Sequence, residues 1–123
     1  MKTENLIADK SKKFSVRIIK LGKYLNEEKK EFILSKQIIR SGTSIGANVM
    51  ESVYAQSLSD FHSKLKIALK EALETSYWLD LLHETDYIET NAFESINADC
   101  KELIKLLIAI CKKTDKTNPT DGK

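Results

Sequence analysis

Between Phe14 and Cys111 apolar side chains return every third or fourth residue, and the chain's only proline, Pro119, lies beyond that span. A period near 3.6 gathers such residues on one side of an α-helix, whereas a half-buried strand would require alternation. Phe14, Ile18, Leu21 and Leu25 form a first stripe, and Leu34, Ile38, Ile45 and Val49 a second. A third runs through Phe61, Leu65, Ala68, Ala72, Thr75, Leu79 and Leu82, and a fourth through Phe93, Ile96, Cys100, Leu103, Ile104, Leu107 and Cys111. The stripes predict helices over residues 3–25, 27–56, 59–83 and 90–113. Asn26 followed by Glu27 and Glu28 reads as an N-cap with acids in the first turn of helix two. Ser57 with Asp60 reads as a capping-box-like start of helix three. Connections this short make successive helices antiparallel neighbours. The expected fold is all-α: one up-down-up-down antiparallel four-helix bundle over residues 1–113, followed by a flexible C-terminal tail over 114–123, which holds no apolar residue.

Such a chain offers little material for catalysis. Cys100 and Cys111 fall on the apolar side of helix four, where eleven residues of helical rise hold them roughly 16 Å apart. A disulfide needs Cα atoms within about 7 Å, so two buried thiols are expected. His62 and His83 stand near opposite ends of helix three, about 30 Å apart by the same rise, and cannot share a metal within one subunit. No Cys-x-x-Cys, Glu-x-x-His or phosphate-loop pattern occurs. Glu71 and Glu74, one turn apart, read as salt-bridge partners of Arg40 or of lysines rather than as an acid/base pair. The expectation is no enzyme, no cofactor and no metal. The chain has no run of about 20 apolar residues to cross a bilayer, and its start lacks the apolar stretch of a signal peptide. A cytoplasmic protein without membrane contact is expected.

Charge and surplus apolar surface point towards binding. The net charge is only +2, yet residues 1–25 carry seven basic side chains against two acidic ones, and residues 60–89 carry seven acids against three lysines. Lys12, Lys13, Arg17, Lys20 and Lys23 are therefore candidates for a strip that meets RNA or DNA, the alternative being solvated faces that complement one another. Helix three also carries apolar residues outside its core stripe, namely Ile67, Tyr77, Trp78 and Leu81, roughly 100° or more away by helical geometry. Val16 and Ile19 on helix one and Leu106 and Ile108 on helix four add to them. A contiguous apolar stripe that includes the only tryptophan marks a candidate subunit interface.

Helix two holds the densest pattern, Arg40-Ser-Gly-Thr-Ser-Ile-Gly-Ala-Asn-Val-Met-Glu51. Ser41 and Asn48 are seven residues apart, as are Ser44 and Glu51, so a polar seam runs beside the apolar stripe among small residues. Polar groups in such a place must be hydrogen-bonded, since an unpaired buried one costs about 1–3 kcal/mol. An interhelical network is the first reading, and a binding surface of Arg40, Asn48 and Glu51 is the second. Gly42 and Gly46 inside the helix imply the close approach of another backbone.

The run RSGTSIGANVMES, followed by AQSLSDFHSKLKIALKEALETSYWLDLL, resembles the family of four-helix-bundle proteins called 23S rRNA-intervening-sequence proteins. The likeness extends from Phe14 to Lys113 and rests on Arg40, Ser41, Ser44, Ile45, Asn48 and Glu51, then Phe61, Ala68, Glu71, Glu74, Thr75 and Trp78. Met50-Glu51-Ser52 departs mildly from the family's pattern, where a smaller residue precedes Glu and Gly or Ala follows it. The resemblance implies a homopentamer around a central channel and no catalytic activity. A related branch assists the reverse transcriptases of diversity-generating retroelements and binds nucleic acid through a more strongly basic surface. The expected function is thus a non-enzymatic homo-oligomer that binds RNA or DNA through helix one, the alternative being an adaptor or scaffold for a protein partner.

Overall fold

A computed structural model describes residues 2–117, with side chains described for 5–115. Among these residues the chain forms four helices and no strand: α1 (Lys2–Glu27), α2 (Leu34–Val53), α3 (Leu58–Glu84) and α4 (Thr90–Thr117). Helices touch only around the ring of the bundle; α2 packs on α1 and α3, α3 on α4, and the α1–α4 seam is the slightest contact. This is the up-down-up-down arrangement that the four stripes require. Phe14, Ile18, Ile45, Leu65, Leu79 and Leu107 are fully enclosed at its centre. Burial of such side chains contributes about 1.5–3 kcal/mol each. Cys100 and Cys111 lie in the same core as free thiols.

The start of helix two departs from the expectation. Asn26, Glu27 and Glu28 do not open α2; Asn26 and Glu27 finish α1, and residues 28–33 form the connection. Lys30 turns the chain with φ 53°, in the left-handed region. The cap of α2 then comes from a residue outside it. The buried Glu31 carboxylate accepts from the backbone N–H groups of Ile33 (3.2 Å), Leu34 (2.9 Å) and Ser35 (2.8 Å), meeting the unpaired donors and the positive end of the helix dipole. Asn26 accepts from the Ser35 hydroxyl at 2.8 Å and ties the two helix ends together. The far end of α2 stops at Val53 rather than at Gln56, because Ser57 starts the next helix: its hydroxyl accepts from the Asp60 N–H at 3.0 Å, and Asp60 accepts in turn from the Gln56 N–H at 3.1 Å.

The tail expected from Thr114 is also corrected. Residues 114–117 continue α4, and Thr114 is buried against His62 of α3. The rest of the expected tail, 118–123, lies outside the described residues.

Two glycines show how closely α1 and α2 approach. A Cβ added at Gly42 would lie 2.8 Å from both branches of the fully buried Ile18, which has no room to yield. One added at Gly22 would collide with both Cδ1 and Cγ1 of Ile39, a half-buried side chain that would have to take another rotamer to clear it. Gly42→Ala is therefore expected to destabilise the bundle by about 1–2 kcal/mol, since overpacking outweighs the gain in helix propensity. Gly22→Ala should cost less than Gly42→Ala, because Ile39 lies at the half-exposed edge of the seam and can rotate away, whereas Ile18 is enclosed. Urea midpoints of the two variants measure the contrast, and equal stability of Gly42→Ala and the parent would contradict the close approach.

Candidate functional site

The α2–α3 seam uses most of the helix-two motif. Ser41 and Thr75 are both buried, and the Thr75 hydroxyl donates to Ser41 Oγ at 2.8 Å, with the Glu71 carbonyl as its alternative acceptor at 2.8 Å. One turn away, the exposed Arg40 guanidinium donates to Glu71 at 3.4 Å and to Glu74 at close range. Glu74 also accepts from the Trp78 indole N–H at 3.0 Å. That indole bond, followed by the Arg40 guanidinium, holds the Glu74 carboxyl below its ordinary range. Bonding to Glu74 in turn raises Arg40. At the other end Glu51 pairs with Lys64 of α3 at 3.0 Å. Ser44 and Asn48 bond back to their own helix: Ser44 Oγ donates to the Arg40 carbonyl and Asn48 Nδ2 to the Ser44 carbonyl. The motif thus clamps α2 to α3 through Arg40, Ser41 and Glu51.

The basic strip of α1 divides in two. Arg17 reaches α4, where it donates to Asp99 at 2.7 Å and to Ser95 Oγ at 3.1 Å, and Lys10 pairs with Glu102 at 3.1 Å. These bonds join α1 to α4 where their packing is slightest. Lys13 pairs with Asp9 within α1, both groups largely in water. Such exposed pairs are worth about 0.2–1 kcal/mol. Lys12, Lys20 and Lys23 are exposed and have no ion-pair partner among the described residues. By helical rotation Lys13 and Lys20 project on the flank away from α2, whereas Lys12 and Lys23 project towards α2.

The second stripe of α3 is only partly open. Ile67 and Tyr77 are exposed, at 40% and 57%. Trp78 and Leu81 are half-buried, and Trp78 packs against the core while bonded to Glu74. Leu73, which falls outside both stripes of α3 in the sequence, is exposed as well. Another open surface lies between α1 and α2. There a shallow groove is floored by Ala8, Ser11, Ser15, Gly46 and Ala47 and rimmed by Met50 (61% exposed) and Tyr54 (82%). A sequence signal for it existed: Ile39, Thr43, Ala47, Met50 and Tyr54 recur at helical spacings, a second stripe on α2.

The titratable groups serve packing. Burial raises the Cys100 thiol to about 12, which leaves it protonated and unreactive at neutral pH. His62 faces Thr114 Oγ1 with Nδ1 at 2.5 Å and Asp115 with Nε2 at 2.8 Å. This hydroxyl–imidazole–carboxylate chain has the outline of an activated nucleophile, but Thr114 is buried and its hydroxyl also lies 3.1 and 3.0 Å from the carbonyls of Ile110 and Cys111. Its geometric effect is to clasp the last turns of α4 to the start of α3. Among the described residues no group of His, Cys, Asp and Glu is arranged to hold a metal, and no helix is long and apolar enough to cross a membrane.

The chain matches the family model described as 23S rRNA-intervening sequence protein over residues 3–109. Among solved structures it is similar to the 1.70 Å crystal structure of a protein with unknown function from the S23 ribosomal protein family of Bacteroides thetaiotaomicron VPI-5482. The TM-score is 0.88 and the sequence identity 58%, over 89% of this chain and 98% of that one. No curated protein matches it.

The Glu74 environment yields a pH test. A carboxyl lowered in the folded state stabilises the fold above the unfolded value, near 4.3 for Glu, and loses that contribution as pH falls through the folded value. Wild type should therefore exceed Glu74→Gln in stability most at pH 6–7, with the gap closing below about pH 4. Urea midpoints across this range read the difference, and a gap independent of pH would remove Glu74 as an ionised partner.

Proposed function

This chain belongs to the 23S rRNA-intervening sequence protein family, and on that premise we propose that it is a non-catalytic homo-oligomeric bundle, a pentamer, that binds RNA or DNA through the basic flank of its first helix. The pentameric number comes from the resemblance. The observation that carries assembly is physical: a bundle with a complete core still leaves Met50, Tyr54, Leu73 and Tyr77 more than half exposed. Patches of this kind on a small domain mark contact surfaces.

A role without catalysis is supported by the work that each titratable group does inside the fold. Glu71 and Glu74 are engaged by Arg40, His62 by Thr114 and Asp115, and the thiols are buried. Support for nucleic acid comes from Lys13, Arg17 and Lys20, which follow one flank of α1 at helical spacings and repeat in every subunit of an oligomer. Multiple copies of such a flank multiply weak phosphate contacts.

Gel-shift titrations of the full chain with structured RNA and with duplex DNA, at rising salt, test the binding role. Affinity should fall steeply with salt, and Lys13→Gln combined with Lys20→Gln should lower the logarithmic salt slope by about two per engaged flank. Absence of binding at low salt overturns the nucleic-acid role and favours the adaptor reading. The exposed pair Phe32 and Ile33, at 59% and 76% on the α1–α2 turn, gives a protein partner a place to dock.

A further inference from the structure

We infer that the outer seam of α3 and α4 is a docking strip for an acidic amphipathic helix of a partner protein. This goes beyond the reading above and leaves the Met50 and Tyr54 side of the bundle for assembly. Leu69 and Leu73 stand seven and eleven residues after His62, and Ile104 and Ile108 eleven and seven before Asp115. At those spacings all four share the side on which His62 meets Asp115 across the seam. Leu73 and Ile108 are exposed, and the half-buried Leu69 and Ile104 beside them pack on the core.

Lysines border this strip on both helices. Lys66 and Lys70 lie on its α3 side, and Lys101, Lys105 and Lys112 on its α4 side, all of them exposed. The bond from the Cys100 thiol to the Ala72 carbonyl sets the two rows level, with Lys70 beside Lys105. Lys66 with Lys70 and Lys101 with Lys105 are like charges four residues apart, a spacing that lowers helix stability. On α1 the same spacing holds a complementary pair, Asp9 with Lys13. None of these bordering lysines has an ion-pair partner among the described residues, in contrast to Lys10 and Lys64. Nearby acids are engaged or displaced. Glu74 is held by Arg40 and Trp78, Asp115 by His62, and the exposed Asp80, Glu84 and Glu94 stand towards the α3–α4 turn, beyond Leu73.

Lysines alone would suit a nucleic acid, but the apolar strip between them does not. A duplex meets a protein chiefly through its phosphates, and single-stranded bases stack on a succession of aromatic platforms. Among the described residues only Tyr77 stands beside this strip as such a platform. An amphipathic helix fits both features: its apolar face covers Leu73 and Ile108, and its carboxylates meet a lysine row on each flank. From Lys101 to Lys112 the helical rise is about 16 Å, the length of about three turns of the docked helix.

Fluorescence anisotropy of the full chain with a labelled synthetic helix, leucines on one face and glutamates on both flanks, tests the assignment. The peptide should bind with an affinity that falls with salt, and a scrambled peptide of the same composition should not bind. Lys70→Glu with Lys105→Glu should weaken binding by about tenfold or more and confer binding of a peptide with lysines in place of the glutamates. Should that variant lose helicity by circular dichroism, Lys70→Gln with Lys105→Gln gives a smaller loss in the same direction. Leu73→Ala with Ile108→Ala should also weaken the glutamate peptide. Lys13→Gln with Lys20→Gln should leave it bound as before, so the helix-one role and this one fail separately. No binding by wild type at low salt, or equal binding of the scrambled peptide, overturns the assignment. Duplex DNA that displaces the peptide from the Lys13→Gln, Lys20→Gln variant overturns it in favour of nucleic acid, and subunits released as peptide binds overturn it in favour of a second copy.

Discussion

Hydroxyls enclosed between helices, out of reach of water, need hydrogen-bond partners, and one left unpaired loses about 1–3 kcal/mol. The Ser41–Thr75 pair meets that requirement, and by doing so it fixes how α2 and α3 lie against one another. The other contacts of that seam follow from the same register. Arg40 falls opposite Glu71 and Glu74, and Glu51 opposite Lys64. A slip of one helical turn would move Ser41 off Thr75 and separate the charges together. Apolar stripes by themselves tolerate such slips, because leucine packs against leucine at several offsets. The polar seam selects one.

The seam also decides which surface is left over. With α2 held to α3 through Arg40, Ser41 and Glu51, the opposite side of α2 closes on α1 through small residues. Gly42 accepts Ile18, and Gly46 lies against Ser11 and Ser15. Small residues bring the backbones together and leave a shallow floor with Met50 and Tyr54 standing at its edge. Close packing within the subunit therefore creates the groove offered to its surroundings. On α3, Trp78 is half-buried and bonded to Glu74, while Ile67, Leu73 and Tyr77 are its more open apolar groups.

The helices and their core were legible in the sequence because a 3.6-residue period is a local property, carried by neighbours such as Leu79 and Leu82. The misread places depend on contacts distant in sequence or on backbone geometry. Asn26-Glu27-Glu28 has the chemistry of a helix start, yet the turn depends on Lys30 adopting a left-handed conformation and on Glu31 folding over the α2 end. Thr114 looks like the first residue of a polar tail until His62, fifty-two positions away, meets it. The ion pair of Arg17 with Asp99, eighty-two positions away, is likewise invisible to any local pattern. The groove differs from these cases. Its stripe from Ile39 to Tyr54 is a local pattern, interleaved on the same helix with the denser polar motif from Arg40 to Glu51.

On the proposed reading, the polar residues finish the fold of one chain and the leftover apolar residues meet a neighbouring copy. Native mass spectrometry of the full chain across a range of protein concentrations tests that claim most directly. The account predicts one closed assembly of five 14.0 kDa chains, about 70 kDa, with no larger species as concentration rises. A particle of 14.0 kDa at every concentration would contradict it.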